Sequence, residues 1–238
     1  MERSMKAVRR LLLAAGLLIV AAAAFYVVYV GAAWLQYGRE KREATPAAAV
    51  ISIDRFLPAY DVSEKHETGV RAPVPITYQA ARNLDLQRST AVRAVLKSRM
   101  LILGDRGAAM ERRPLLEQVH AMGWGLLAEV PGRAMVFGAV SRPWEPNVRF
   151  HPLSPARFAT FHEPGWAKIV WTLEVDPAPH GLSLFRTRTR VATTDAGARR
   201  RFRGYWSKFK PGIVLIRHQA LALVKSDAER RARAAARR

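Results

Sequence analysis

The residues at 11–33 form an unbroken apolar run, and no charged residue occurs between Arg10 and Arg39. About 20 apolar residues in a helix are enough to cross the hydrocarbon core of a bilayer. A run with no polar face does not suit a helix packed on a soluble domain. Two readings remain: a membrane helix kept over 11–37, or a secretion signal cut near Gly31-Ala32-Ala33. Cleaved signals have apolar regions of about 7–15 residues. This run is longer. It also carries Phe25, Tyr26 and Tyr29 and ends in Trp34 and Tyr37, aromatic residues of the kind that gather at membrane interfaces. The retained anchor is the expectation, with the bilayer as partner of residues 11–37.

The flanks set the expected orientation. Arg3, Lys6, Arg9 and Arg10 precede the run, against Arg39, Lys41 and Arg42 after it. Basic residues favour the cytoplasmic side. The expected arrangement is a single-pass protein of the cell membrane with its large C-terminal domain outside the cytoplasm. The 238-residue chain has a net charge of +20. Residues 1–10 contribute +3 and residues 11–38 nothing, so +17 follows the run. Such a charge attracts anionic lipid or nucleic acid, or simply gives a solvated basic surface. Nucleic acid is not expected if the domain lies outside the cytoplasm. The chain has no cysteine, which removes disulfides and thiolate-held metals.

After the basic segment at 1–10 and the anchor, residues 38–59 read as a linker whose last, apolar stretch reaches the domain edge. From 60 the pattern is regular. Residues 62–70 alternate as a strand up to Ala72-Pro73. Helical spacing follows at 76–84, 88–103 and 114–122, the last stopped by Gly123. Strands are expected at 124–130, 134–140, 148–150, 157–162, 166–175 and 182–192, with a turn at Pro131-Gly132 and a hairpin at 177–181. Thr193, Thr194 and Asp195 can cap the next helix. Phe202, Trp206, Phe209, Ile213, Ile216, Ala220 and Val224 recur every three or four residues along it, and Pro211-Gly212 should kink it. The tail at 226–238 is rich in Ala and Arg and reads as a solvated helix end or a basic arm.

One strand, helices, a run of antiparallel strands and a long final helix make an α+β order. In its layout the chain resembles the START-like, Bet v1-like superfamily (SRPBCC; polyketide cyclase/dehydrase and lipid transport proteins) over residues 60–225. The carriers are the opening strand into Ala72-Pro73-Val74-Pro75, then Asn83-Leu84-Asp85-Leu86, Glu163-Pro164-Gly165-Trp166-Ala167-Lys168, Thr187-Arg188-Thr189-Arg190-Val191, and the long helix with Tyr205-Trp206 and Ile216-Arg217. The resemblance implies a helix-grip fold: a curved antiparallel sheet wrapped around the C-terminal helix, with a hydrophobic cavity between them.

Alternation along the strands selects the residues that would line such a cavity. Ile169, Trp171 and Leu173 share one face, and Phe185, Thr187, Thr189 and Val191 share another; both are assigned inward, beneath Trp206, Phe209 and Ile213 of the helix. The threonines would give an apolar site a few hydroxyls, suiting a mostly apolar ligand with one polar end. The alternative is that these faces fill a solid core. Lys168, Arg186, Arg188 and Arg190 fall on the opposite face and are expected as a basic surface. The run Arg199-Arg200-Arg201-Phe202-Arg203 sits at the positive end of a helix, where arginines are unfavourable, and has no structural reason of its own.

Signals for catalysis are sparse. The histidines at 66, 120, 151, 162, 180 and 218 have no metal-ligand spacing, so no metal and no cofactor are expected. His162-Glu163 would point to opposite strand faces, and Glu64 with His66 reads as cross-strand pairing. Gly104-Asp105-Arg106-Gly107 is a turn without phosphate-loop spacing. The leading expectation is a membrane-anchored domain binding a lipid or other hydrophobic molecule, non-catalytic or of uncharacterised activity. The alternatives are a cyclase- or hydrolase-like enzyme in the same cavity, and a basic module on anionic lipid or a partner protein.

Overall fold

The computed structural model describes residues 2–37, 40–42, 50–104 and 115–237, with side chains of the first helix from residue 9. Outside them lie linker positions 38, 39 and 43–49, the 105–107 part of the expected turn, Pro114, and the side chains of Arg3 and Lys6. The first helix, α1 (Glu2–Gln36), holds a 28-residue apolar span at Arg9–Gln36 that is long enough to cross a membrane.

β1 (Val62–Val70) leads into α2 (Val74–Arg82), which Pro73 and Pro75 start as proline does at a first turn. α3 (Thr90–Leu103) is capped by the Ser89 hydroxyl, which accepts from the Val92 amide, and ends at Gly104 in the left-handed conformation. α4 (Leu115–Ala121) stops before Gly123, where φ is +86° and a Cβ would lie 2.0 Å from the Phe150 carbonyl oxygen, so only glycine fits. The sheet then follows: β2 (Gly125–Val130), β3 (Ala134–Ser141), β4 (Phe150–His151), β5 (Ala167–Ala178) and β6 (Leu182–Thr193), with a 3₁₀ turn at Pro179–Gly181 joining the last two.

Every pairing is antiparallel. The order is β1-β6-β5-β3-β2, with β4 paired to β3, and the sheet is open. The final helix, α6 (Ala196–Ala235), begins where the Asp195 carboxylate accepts from the Ala198 amide. It is one helix through Pro211, whose ring nitrogen leaves the Ser207 carbonyl without its i+4 donor. It also takes in the 226–235 tail: Ala228 is fully buried and Glu229 nearly so.

The strand expected at 157–162 is instead a short helix, α5 (Pro155–Thr160). Ser154 caps it and Pro155 occupies its first position, a start signal that outweighs the alternation read from the apolar residues.

The sheet buries both faces. Inward, Met135, Phe137, Trp171, Leu173 and Phe185 pack against Tyr78 and Ala81 of α2 and Leu221, Val224 and Ala228 of α6. Outward, Val136, Val140 and Val170 pack beneath Phe158 of α5 and Ile53, Phe56 and Leu57 of the segment before β1. A third cluster joins Val62, Val191, Phe202 and Trp206 to Ala33 and Tyr37 at the end of α1.

Candidate functional site: a polar recess beneath the C-terminal helix

Alternation puts Val62, Glu64, His66, Thr68 and Val70 of β1 on the sheet's inner face. Glu64 stands beside Thr189, and His66 beside Thr187. α6 crosses above them, placing Lys210, Arg217 and His218 against this corner. The Lys210 ammonium lies 2.9 Å from Glu64 Oε1, and the Tyr37 hydroxyl donates to the same oxygen at 3.2 Å. Lys210 also donates to the Tyr37 hydroxyl. Burial alone would lower the Lys210 pKa, but the bonds to Tyr37 and Glu64 prevail and hold it above its usual value. Glu64 is thereby occupied.

Arg217 is arranged differently. Its Nη1 donates to Thr187 Oγ1 at 3.2 Å, and the guanidinium lies 5.8 Å from the centre of the Trp171 ring. Among the described residues it has no carboxylate within ion-pair distance. Desolvation lowers its pKa to about 10, opposed only by the more distant charge of Glu64. His66 Nε2 is buried without a hydrogen-bond partner and lies 3.9 Å from Glu64 Oε2. Burial lowers the His66 pKa, Glu64 opposes, and His218, whose ring is 5.1 Å away, adds to the lowering. The imidazole is therefore neutral at pH 7.

The recess thus holds Glu64 against two permanent cations, and one positive charge is left over. The side chains of His66, Glu64 and Lys210 are 13%, 19% and 20% exposed, so solvent reaches them. An unpaired guanidinium beside a hydroxyl, an imidazole nitrogen and an indole face can take a carboxylate or phosphate whose apolar remainder lies along Trp171, Ile169 and Ile213.

The residues expected to line a cavity separate into four groups. Thr187, Thr189 and Trp171 border the recess. Leu173 and Phe185 are core, while Val191 packs with Trp206 in the third cluster, beside Ile169 and Ile213. Phe209 instead lines a surface hollow of about 430 Å³ on the α3 flank of α6.

The expected basic surface is corrected by the structure. Lys168, Arg188 and Arg190 are buried, and Arg186 is half-buried. Arg188 forks onto Glu174, with Nε and Nη2 donating at 2.7 and 2.9 Å, and Nη2 also reaches the Ile51 carbonyl. Arg190 pairs with Asp54, donates to the Leu57 carbonyl at 3.1 Å and lies 4.4 Å from the Tyr60 ring centre. Arg186 bridges Glu67 and Asp176. Lys168 Nζ donates to the Ala159 carbonyl at 2.9 Å. The segment at 50–61 covers this face, which is why its cations are not at the surface.

Sequence reasoning named Arg217 only within the layout resemblance, not as a site residue. A signal existed: it lies four residues after Ile213 and four before Leu221, a cation on the helix's apolar face.

No family model and no curated protein matches the chain. Among solved structures, the hypothetical protein jhp0584 from Helicobacter pylori is similar over 77% of this chain and 98% of its own, at 10% identity and a TM-score of 0.36. Protein CV1439 from Chromobacterium violaceum is similar over 68% of this chain and 96% of its own, at 14% identity and a TM-score of 0.27.

Proposed function

We propose that this chain is a membrane-tethered binding module that holds an amphipathic molecule by an anionic head. α1 is the tether, and the domain sits on the outer side of the membrane, as the basic flanks favour. The ligand's head lies in the polar recess, against Arg217, Thr187 and His66, and its apolar part follows the seam between sheet and α6. The observation that carries this reading is Arg217: a half-buried guanidinium whose one hydrogen-bond partner among the described residues is the Thr187 hydroxyl, with no carboxylate partner among them. Burying an unpaired charge costs several kcal/mol unless something else compensates it. The layout resemblance to START-like (SRPBCC) proteins supports a lipid or similar hydrophobic molecule as the class.

The test is solvent extraction of the purified full chain followed by mass spectrometry. An amphipathic anion recovered in stoichiometric amount is expected; a chain that carries none and takes up none from added lipid overturns the reading.

A cyclase- or hydrolase-like activity is the second reading. His66 favours it, since its buried nitrogen has no hydrogen-bond partner and lies 3.9 Å from Glu64 Oε2. Conversion of the bound molecule on incubation, lost in His66→Gln, would select it.

A further inference from the structure

The structure divides the arginine run at 199–203. Arg199 pairs with Asp61 at 2.7 Å and with Glu40 at 3.5 Å. Arg203 lies 4.5 Å from the Trp34 ring centre and donates to the Trp34 carbonyl, one of the open acceptors at the end of α1. Arg200 and Arg201 have no ion pair among the described residues, nor does Lys208 two turns further on. These three line the hollow of about 430 Å³, together with Leu103, Tyr205 and Phe209. Beside it, α3 ends in Leu101 and Ile102, which are 83% and 69% exposed.

The depth of this hollow follows from its contacts with α1. The Tyr26 hydroxyl donates to the Lys208 carbonyl at 2.7 Å. A Cβ at Gly204 would lie 3.4 Å from Trp34 Cζ3. Residues 203–208 therefore run beside residues 26–34, the last third of the apolar span. The 28 residues of that span rise ~42 Å at 1.5 Å each. A hydrocarbon core takes ~30 Å of this, and the remainder lies among headgroups. Trp34, Tyr37 and the outer end of the hollow at Arg200, Arg201 and Gly204 belong to that layer, where Trp and Tyr gather; Lys208, whose backbone meets Tyr26 ~15 Å below Gln36, reaches it by snorkelling outward.

We propose, resting on the anchoring put forward above, that the hollow between α3 and α6 is a headgroup site for an anionic phospholipid of the same bilayer. Arg200, Arg201 and Lys208 take the phosphate, Tyr205 and Phe209 lie along the glycerol region, and Leu101 and Ile102 dip into the acyl boundary. Arg201 also lies 5.6 Å from the centre of the Trp144 ring, which borders the hollow. The site gives the arginines of the run without an ion pair a purpose, since an anionic headgroup offsets their repulsion from the helix N-terminus. It is separate from the Arg217 recess, and it fixes the domain's tilt on the membrane.

The absence of cysteine permits single labels at chosen sites. The full chain carries a nitroxide at Leu18→Cys or at Ile102→Cys, in nanodiscs of phosphatidylcholine alone or mixed in equal parts with phosphatidylglycerol. The Leu18 label is expected to be shielded from an aqueous relaxation agent in both. The Ile102 label is expected to be shielded at least threefold better in the mixed disc. That gain should vanish in high salt, and also when Arg200, Arg201 and Lys208 are all changed to Gln in a chain with an unchanged near-ultraviolet CD spectrum. An Ile102 label open to water in both discs, or shielded equally in both, with Leu18 still shielded, overturns the headgroup site alone. A Leu18 label open to water overturns the anchoring, and this inference with it.

Discussion

The two faces of the sheet bury charge in opposite ways. On the outer face, Glu174 is fully buried and fork-bonded by Arg188, while Asp54 meets Arg190 and Asp176 meets Arg186. On the inner face, Glu64 is taken by Lys210, and Arg217 keeps only a hydroxyl and an indole face. Buried charges that close on one another do structural work and leave nothing to offer. A half-buried charge left open marks the place where something else completes the set. Composition does not separate the faces, since both carry Arg, Lys, Thr and Glu. Connectivity separates them, with one exception on the outer face: among the described residues, the buried Lys168 ammonium meets only the Ala159 carbonyl and the Phe158 ring.

The largest effect expected from this contrast is on the closed side. Glu174→Ala leaves the Arg188 guanidinium uncompensated and should cost about 3–5 kcal/mol of stability, read as a shift in the denaturation midpoint of the detergent-solubilised chain. A cost below about 1 kcal/mol would mean that the outer network is not closed as described.

Next comes the open side. Arg217→Met removes a cation with no ion pair to break, so the ligand-free chain should lose no stability and should gain some from removal of the uncompensated charge. Affinity for the anionic ligand should fall at least tenfold, which is about 1.4 kcal/mol. The two substitutions should thus invert: Glu174 matters for folding, Arg217 for binding.

A pH titration sharpens the outer face further. Burial lowers the Lys168 pKa from 10.5 to about 8. Between these values the unfolded chain binds the proton more tightly than the folded one, so this lysine makes stability rise with pH from about 8 to 10.5, and below about 8 its cost is borne in full. Lys168→Met should flatten that part of the profile relative to the wild type. The smallest effect is expected at the sheet edge. The hydrogen bond from Arg186, together with Lys65, holds the exposed Glu67 below its usual pKa. Glu67→Gln should nevertheless cost less than about 1 kcal/mol, because water screens the pair.

Much of the fold is legible in sequence because it rests on periodicity. The alternation of β5 and β6 sorts Trp171, Leu173 and Phe185 inward and Lys168, Arg188 and Arg190 outward, as observed, and the stripe of α6 identifies the helix that covers the inner face. Alternation cannot say whether a polar face is wet. The cover over Arg188 and Arg190 comes from residues more than 130 positions earlier, and only the spacing of Asp54, Tyr60 and Asp61 among Ile53, Phe56 and Leu57 hinted that an irregular stretch would pack down on charge. α5 was misread for a local reason: Phe158 and Phe161 suit either period, and Ser154-Pro155 had to decide. The recess was half legible. Thr187 and Thr189 follow from the face assignment, but the meeting of His66 with His218 and of Arg217 with Thr187 depends on how α6 crosses β1, which no local pattern encodes.

The most direct test of the open inner face is native mass spectrometry of the full chain released from detergent, wild type beside Arg217→Met. The account predicts one equivalent of an amphipathic anion on the wild type and none on the variant, with both folded. A wild type that is empty even after exposure to membrane lipid, or a variant that keeps the same molecule, would contradict it.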